Sequence, residues 1–310
     1  MTVLFEHPGK SCSSCLCRLI FAVELMAYGK TIASPSRRLN YHTNPGGDIA
    51  RPIGISFILI AMTPLVILPL TSIFIFGFGK GLDHFWEALV SPAAVFSLKL
   101  SLTTSSVATL CNVAFGLAAA WVMSKYEFKG SAALIIIISL PTAIPTAVAG
   151  TALLLVWGRS GLLGQFLEHT DYQIMFTTAA IILANIFVTF PLAFGVIKPA
   201  LDNLDKSYED AAETMGASRW QAFRFVVLPS LRGAIITGAL LTFARSIGEF
   251  GSTIIVSGNL AMKTQTAPLY IYTRFNEGDF EGANAIAAVL AALSIAIFTL
   301  ILFTRKRLEK

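Results

Sequence analysis

Charge is what this chain has least of. Only 13% of its 310 residues are Asp, Glu, Lys or Arg, about half the share of an ordinary soluble domain. Histidine and cysteine are scarce too, four of each. Cys12, Cys15 and Cys17 sit close together, but no second Cys/His pair follows at zinc-like spacing, and His7 and His42 stand alone. That pattern does not read as a metal site. No G-x-x-x-x-G-K-[ST] phosphate loop occurs anywhere, which excludes a fused ATPase of that class. No stretch alternates polar and apolar residues over the roughly ten positions of a barrel strand, which excludes a membrane β-barrel.

What is present is apolar residues in long blocks. They make up 55% of the chain, and the mean hydropathy is +0.70. The blocks run to roughly 20 residues or more, the length at which a helix crosses ~30 Å of hydrocarbon. Six such spans are predicted, at 53–78, 100–123, 132–157, 176–196, 233–255 and 283–303. The expected fold is all-α: a polytopic membrane protein with six transmembrane helices, in which residues 51–310 form one membrane domain without soluble insertions.

The net charge of +5 is unevenly placed. Seventeen Lys and Arg fall in the amino-terminal segment, the second-to-third and fourth-to-fifth connections and the carboxyl terminus. Only Lys80, Lys99, Arg159, Lys263 and Arg274 fall on the opposite side. By the positive-inside rule both termini then face the cytoplasm. The basic excess orients the chain in a plasma membrane and argues against nucleic acid as a partner. Residues 1–50 fit the rest poorly and read as a disordered cytoplasmic extension, or as sequence upstream of a start at Met26. The apolar stretch 16–28 is too short to span, contains Arg18 and Glu24, and lacks a small-residue cleavage pattern, so it is not read as a signal peptide.

Several intramembrane features invite a mechanism. Pro141 and Pro145 in the third span and Pro191 in the fourth remove backbone donors and kink their helices. Ser97, Ser101, Ser105 and Thr109 recur every four residues and share one helix face. Ser101 and Ser105 are candidates for a hydroxyl row along the pathway of an anion. The same stripe also suits close helix packing or bonding back to its own helix. Arg245 and Glu249 lie inside the fifth span, where ionisable groups are costly. Their i, i+4 spacing lets them pair, as a gate element or with Arg245 touching substrate. Cys111 reads as a small packing residue.

The most telling segment is 209–229, EDAAETMGASRWQAFRFVVLP, a polar island between two apolar spans. It reads as a short helix over 208–215, a break at Gly216, and a second helix capped by Ser218 that ends at Pro229. Trp220, Phe223 and Val227 give the second helix an apolar face, opposite Arg219 and Arg224. Such a knob either docks in a groove on a partner or lies on lipid headgroups. Five acids between Asp202 and Glu213 argue against anionic lipid.

This segment resembles the EAA loop of ABC importer permeases, E-A-A-x-x-x-G-x9-I-x-L-P. Asp210, Ala211, Ala212, Gly216, Leu228 and Pro229 stand at that spacing. Asp210 replaces the family glutamate and Val226 the isoleucine, with Glu209 and Glu213 nearby as longer acids. AAWVMSKYEF, LPTAIPTAVAG, ARSIGEFGSTIIVSGN and TQTAPLYIYT are similar to the sulfate and molybdate permease branch. The resemblance covers roughly 51–310 and implies the type I importer architecture, with a coupling loop at 205–230 between the fourth and fifth spans. It implies an ATPase-coupling role for Glu209, Asp210, Ala211, Ala212, Gly216, Trp220, Leu228 and Pro229. It also implies a cytoplasmic ATPase dimer that holds the ATP, a second permease subunit and an external oxyanion-binding protein, with no cofactor bound by the permease itself. The full first span favours sulfate or thiosulfate as cargo, whereas GEFG followed by TQT and PLYIYT also fits molybdate or tungstate. An ion-coupled secondary transporter would want internal repeats and several intramembrane acids, and an embedded enzyme would want clustered ligands at membrane depth. Neither is evident.

Overall fold

The computed structural model describes residues 50–126, 128–167 and 173–308, so the expectations for the amino-terminal extension and its cysteines lie outside the described residues. Those described form helices α1 (Ala50–Gly77), α2 (Leu82–Val90), α3 (Pro92–Lys125), α4 (Ser131–Ala143), α5 (Thr146–Trp157) and the single turn α6 (Gly164–Leu167). They continue with α7 (Thr178–Asp202), α8 (Ser207–Thr214), α9 (Arg219–Ser230), α10 (Arg232–Ile247), α11 (Gly251–Ser257), α12 (Ala267–Asn276) and α13 (Phe280–Leu308).

Among the described residues, four helices are long and apolar enough to cross a membrane on their own: α1, α3, α7 and α13. Two bent pairs, α4 with α5 and α9 with α10 (64°), bring the possible crossings to six, the number expected. The third expected span is not one helix. It breaks between Ala143 and Thr146, and α4 and α5 meet at 111°. Pro145 is the cause: it has no N–H to continue the ladder, and its predecessor Ile144 is held extended (φ −88°, ψ 136°). Pro141, by contrast, sits inside α4 without ending it.

Helix register shows that the bent pair still crosses. Asn112 bonds Thr189, Gly116 lies against Ala193 and Phe194, and Ser124 bonds Asp202 at 2.6 Å. Helices α3 and α7 therefore run parallel, and α4 with α5 returns the chain across the membrane between them. Lipid tails are as apolar as leucine, so helices in a bilayer associate by close packing rather than by hydrophobic burial. The α3–α7 seam follows that rule. A Cβ on Gly116 would sit 3.4 Å from the Phe194 nitrogen, and Ala108, Ala120, Ala184 and Ala193 are fully buried along these two helices.

Helix α10 runs antiparallel to α7. Leu231 packs with Ile197 and Leu201 at one end, and Gly238 lies against Ala193 further along. The fifth expected span, 233–255, is likewise split. Helix α10 stops at Ile247, Gly248 to Phe250 break it, and α11 restarts at Gly251. Helix α11 reaches the level where α7 begins, since the Phe176 N–H donates to the Val256 carbonyl at 2.8 Å. It also packs tightly on α5. A Cβ on Gly150 would come within 2.8 Å of the Ser252 Cα and carbonyl oxygen.

Gly150→Val should therefore force α5 from α11 and lower the unfolding midpoint of the purified protein, at a cost of ~1–3 kcal/mol. A methyl group added at Gly195 would meet no atom within 4 Å, so Gly195→Ala should be neutral or slightly stabilising. Equal loss in both variants would contradict this packing.

Candidate functional site: the polar segment and the broken fifth span

The polar island folds as its punctuation suggests. Helix α8 ends at Thr214, and Gly216 takes φ +90°, a left-handed turn that any side chain would strain. Ser218 then opens α9 with a reciprocal capping box. Its hydroxyl accepts from the Gln221 N–H at 3.3 Å, and the Gln221 side chain accepts from the Ser218 N–H at 2.8 Å. A π-helical turn over Phe223–Val227 widens the helix ahead of Pro229. Such bulges place one extra residue in a turn and redirect the side chains that follow.

Two faces result. The inner one joins the membrane helices: Val227 and Leu231 are buried with Ala120, Met123, Phe194, Ile197 and Leu201. Phe223 meets Trp121 edge-on, with ring centroids 4.4 Å apart. Glu209 forms an ion pair with Lys125 at the end of α3, and Lys125 also lies over the Trp121 ring at 4.9 Å. Asp202 ends α7 with bonds from Ser124 and Lys198. The Ser207 backbone N–H and hydroxyl both reach Asp205 and hold its carboxyl below the usual carboxylate range.

The outer face is open. Met215 is 83% exposed and Trp220 65%, the latter stacked on Phe223 at 5.5 Å. Asp210, Ala211, Glu213, Gly216 and Pro229 are exposed as well, whereas Ala212 is buried and Leu228 half-buried. Of the three candidate acids, Glu209 is thus engaged within the chain, and Asp210 and Glu213 face outward. A cleft of about 580 Å³ flanks the segment, lined by Phe225, Val226, Pro229, Ser230, Arg232 and Gly233. Lys125, Trp121 and the π-helical turn escaped the sequence reading. The SKYEF that begins in the last turn of α3 carried the only hint, a lysine at the end of an apolar helix.

Arg245 and Glu249 do pair, at 2.8 Å. The pair is lopsided: the Glu249 side chain is 1% exposed and that of Arg245 45%. Glu249 also does something its spacing did not announce. Its Oε1 accepts from the Ser252 N–H and hydroxyl, both at 3.1 Å, so it caps α11 while answering Arg245 on α10. One carboxylate thus spans the break between two helices. A side chain on Gly251 would run into the Thr146 hydroxyl at the start of α5, so three helix ends converge there. The hydroxyl row on α3 faces protein. Ser97 donates to Ala94, and Ser101 accepts from the Ala267 N–H at 2.7 Å, anchoring α12. Ser105 and Thr109 are buried with no hydrogen-bond partner among the described residues.

Bent crossings, a polar knob tied into the membrane core and a charged break within a span define a transport subunit rather than a catalytic one. Residues 112–310 match the binding-protein-dependent transport system inner membrane component, and the chain belongs to that family of ABC importer permeases. It is 37% identical over 245 residues to the sulfate transport system permease protein CysT of Escherichia coli (strain K12), covering 79% of this chain and 88% of that one. The probable sulfate transport system permease protein cysT of Chlorella vulgaris is 40% identical over 71% of this chain and 82% of its own. For the sulfate transport system permease protein CysW of Synechocystis sp. (strain ATCC 27184 / PCC 6803 / Kazusa) the figures are 34%, 82% and 94%. A bacterial alginate ABC transporter, solved with its alginate pentasaccharide-bound periplasmic protein, shares the fold. It has a TM-score of 0.65 at 19% identity, over 83% of this chain and 94% of its own.

Arg245→Met leaves Glu249 charged, buried and held only by Ser252. It should lower stability by roughly 1–3 kcal/mol, less than a fully buried pair because Arg245 is half in solvent. Glu249→Gln keeps an acceptor for Ser252, so the double variant should recover part of that loss in thermal unfolding. Strict additivity of the two changes would dissolve the pair.

Proposed function

We propose that this permease moves sulfate or thiosulfate into the cytoplasm, driven by ATP hydrolysis on a partner ATPase dimer. The observation that carries the cargo assignment is the 37% identity to a sulfate permease over most of both chains. The permease works with a second permease subunit, the same chain or a homologue, and with an external binding protein that selects the tetrahedral dianion.

The orientation proposed places the coupling segment and both termini in the cytoplasm. Lys125, Lys198, Lys206, Arg219, Arg224 and Arg232 gather at the end of the bundle that holds the segment, and the other end holds Lys80, Lys99, Lys263 and Arg274. The contrast supports a positive-inside placement. The ATPase then meets Met215, Trp220, Asp210 and Glu213. Its motion passes through Phe223, Val227 and Leu231 into α3 and α7, because those side chains are packed solidly between the two helices. A close-packed contact transmits displacement instead of absorbing it. Rigid rocking of that kind is the expected switch between inward- and outward-open states. Arg245, braced by Glu249 at the break after α10, is the pathway or gate cation, and Ser101 and Ser105 stand on the helix beside it.

The test is ATP-dependent uptake of labelled sulfate by the reconstituted transporter, with molybdate as competitor. Gly216→Leu and Asp210→Lys should each cut uptake at least tenfold, a coupling loss of about 1.4 kcal/mol or more, while the subunit remains folded in the membrane. Unchanged uptake with ATPase still bound would remove the coupling assignment. Uptake of molybdate in preference to sulfate would reassign the cargo and leave the coupling role intact.

A further inference from the structure

Helix α2 has an apolar arc that the protein covers only in part. At ~100° per residue, Phe85, Leu89, Leu82, Trp86 and Val90 follow one another around one side of the helix. Asp83, His84 and Glu87 occupy the other side. One edge of the arc is used internally. Phe85 stacks on Phe78 at 4.3 Å, and Leu89 packs against the cluster of Ala94, Ala267, Tyr270 and Ile286. The rest is bare: Leu82 is 73% exposed, Trp86 64% and Val90 55%.

The position of α2 says what covers that edge. It hangs between the end of α1 at Gly77 and the start of α3 at Pro92, two helices that leave the bilayer at this level. This is the end of α3 opposite the coupling segment. Ile75 and Phe76, in the last turn of α1, are exposed as well, so large apolar side chains stand bare on both helices that meet at this turn. Charged groups gather on the other side of the boundary. Lys80 pairs with Glu281 at 3.2 Å, and Asp83 and Glu87 are exposed. A short helix with a tryptophan on its apolar edge suits the plane where headgroups meet acyl chains, and its acids lie on the opposite, water-facing edge.

We infer that α2 is an interfacial anchor, lying in the membrane plane with Leu82, Trp86 and Val90 in the headgroup–acyl boundary of the leaflet opposite the coupling segment. It sets the depth of the α1–α3 elbow. Tyr270 links that elbow to α12, through contact with Ser91 at 3.4 Å. The inference rests on the membrane crossings alone and is independent of the cargo.

The test uses the assembled transporter in lipid nanodiscs. The emission of Trp86, taken as the difference between the native chain and Trp86→Phe, should be blue-shifted and resistant to aqueous iodide. It should fall about twofold or more in lipids brominated near the headgroup. A second reading comes from Val90→Cys carrying an environment-sensitive fluorophore, in a chain whose four cysteines are replaced by Ala; it should show the same quenching pattern. Iodide quenching with no effect of lipid bromine would place the helix in water. Protection from both quenchers would place it against another protein. Either result overturns the inference.

Discussion

The close seam between α3 and α7 is the contact on which the other features depend. It is built from Gly116, buried alanines and the Asn112–Thr189 hydrogen bond, because in lipid only close approach and polar matching hold helices together. Its parallel sense obliges the chain to recross between the two helices, and α4–α5 does so despite its bend. Its end nearest the coupling segment is closed by Ser124, Lys198 and Asp202. The polar knob is therefore seated on both helices at once through Val227 and Leu231.

The knob and the charged break show two ways of handling polar groups in an apolar chain. In the knob, polarity is turned outward and held by backbone devices, a left-handed glycine and a capping box, so that apolar residues such as Met215 and Trp220 stand exposed on a rigid base. At the break, polarity is turned inward. Glu249 is buried with an ion-pair partner on one side and two donors on the other, which offsets the desolvation cost of holding a charge there. The half-exposed Arg245 keeps one face available.

Much of this was legible in one dimension, and for identifiable reasons. The polar segment follows local rules: Gly216, Ser218 and Gln221 act within a few residues of one another, so spacing alone places the turn and the cap. The pairing of Arg245 with Glu249 was expected from helical periodicity, but it is made across the break, because α10 ends at Ile247 and Glu249 lies beyond it. What escaped notice depends on distant residues or on local geometry that spacing does not report. The engagement of Glu209 by Lys125 joins positions 84 residues apart. Ser101 is committed to the start of α12, 166 residues away, so a hydroxyl row that looked free along its own helix faces other helices. The prolines marked a kink in the third span but not that Pro145 ends the helix while Pro141 stays inside it, and at Gly248 to Phe250 long apolar flanks on both sides masked the break.

The sequence by itself determined the class, the long apolar spans and the polar segment that interrupts them, because hydrocarbon thickness and turn chemistry act locally along the chain. Tertiary structure decided where the helices stop and restart, which acids of that segment face outward, and that Glu249 serves two helices. Those outcomes depend on what lies across a contact from each residue. A membrane supplies little drive for such contacts beyond shape and hydrogen bonding, so hydropathy and spacing leave them open.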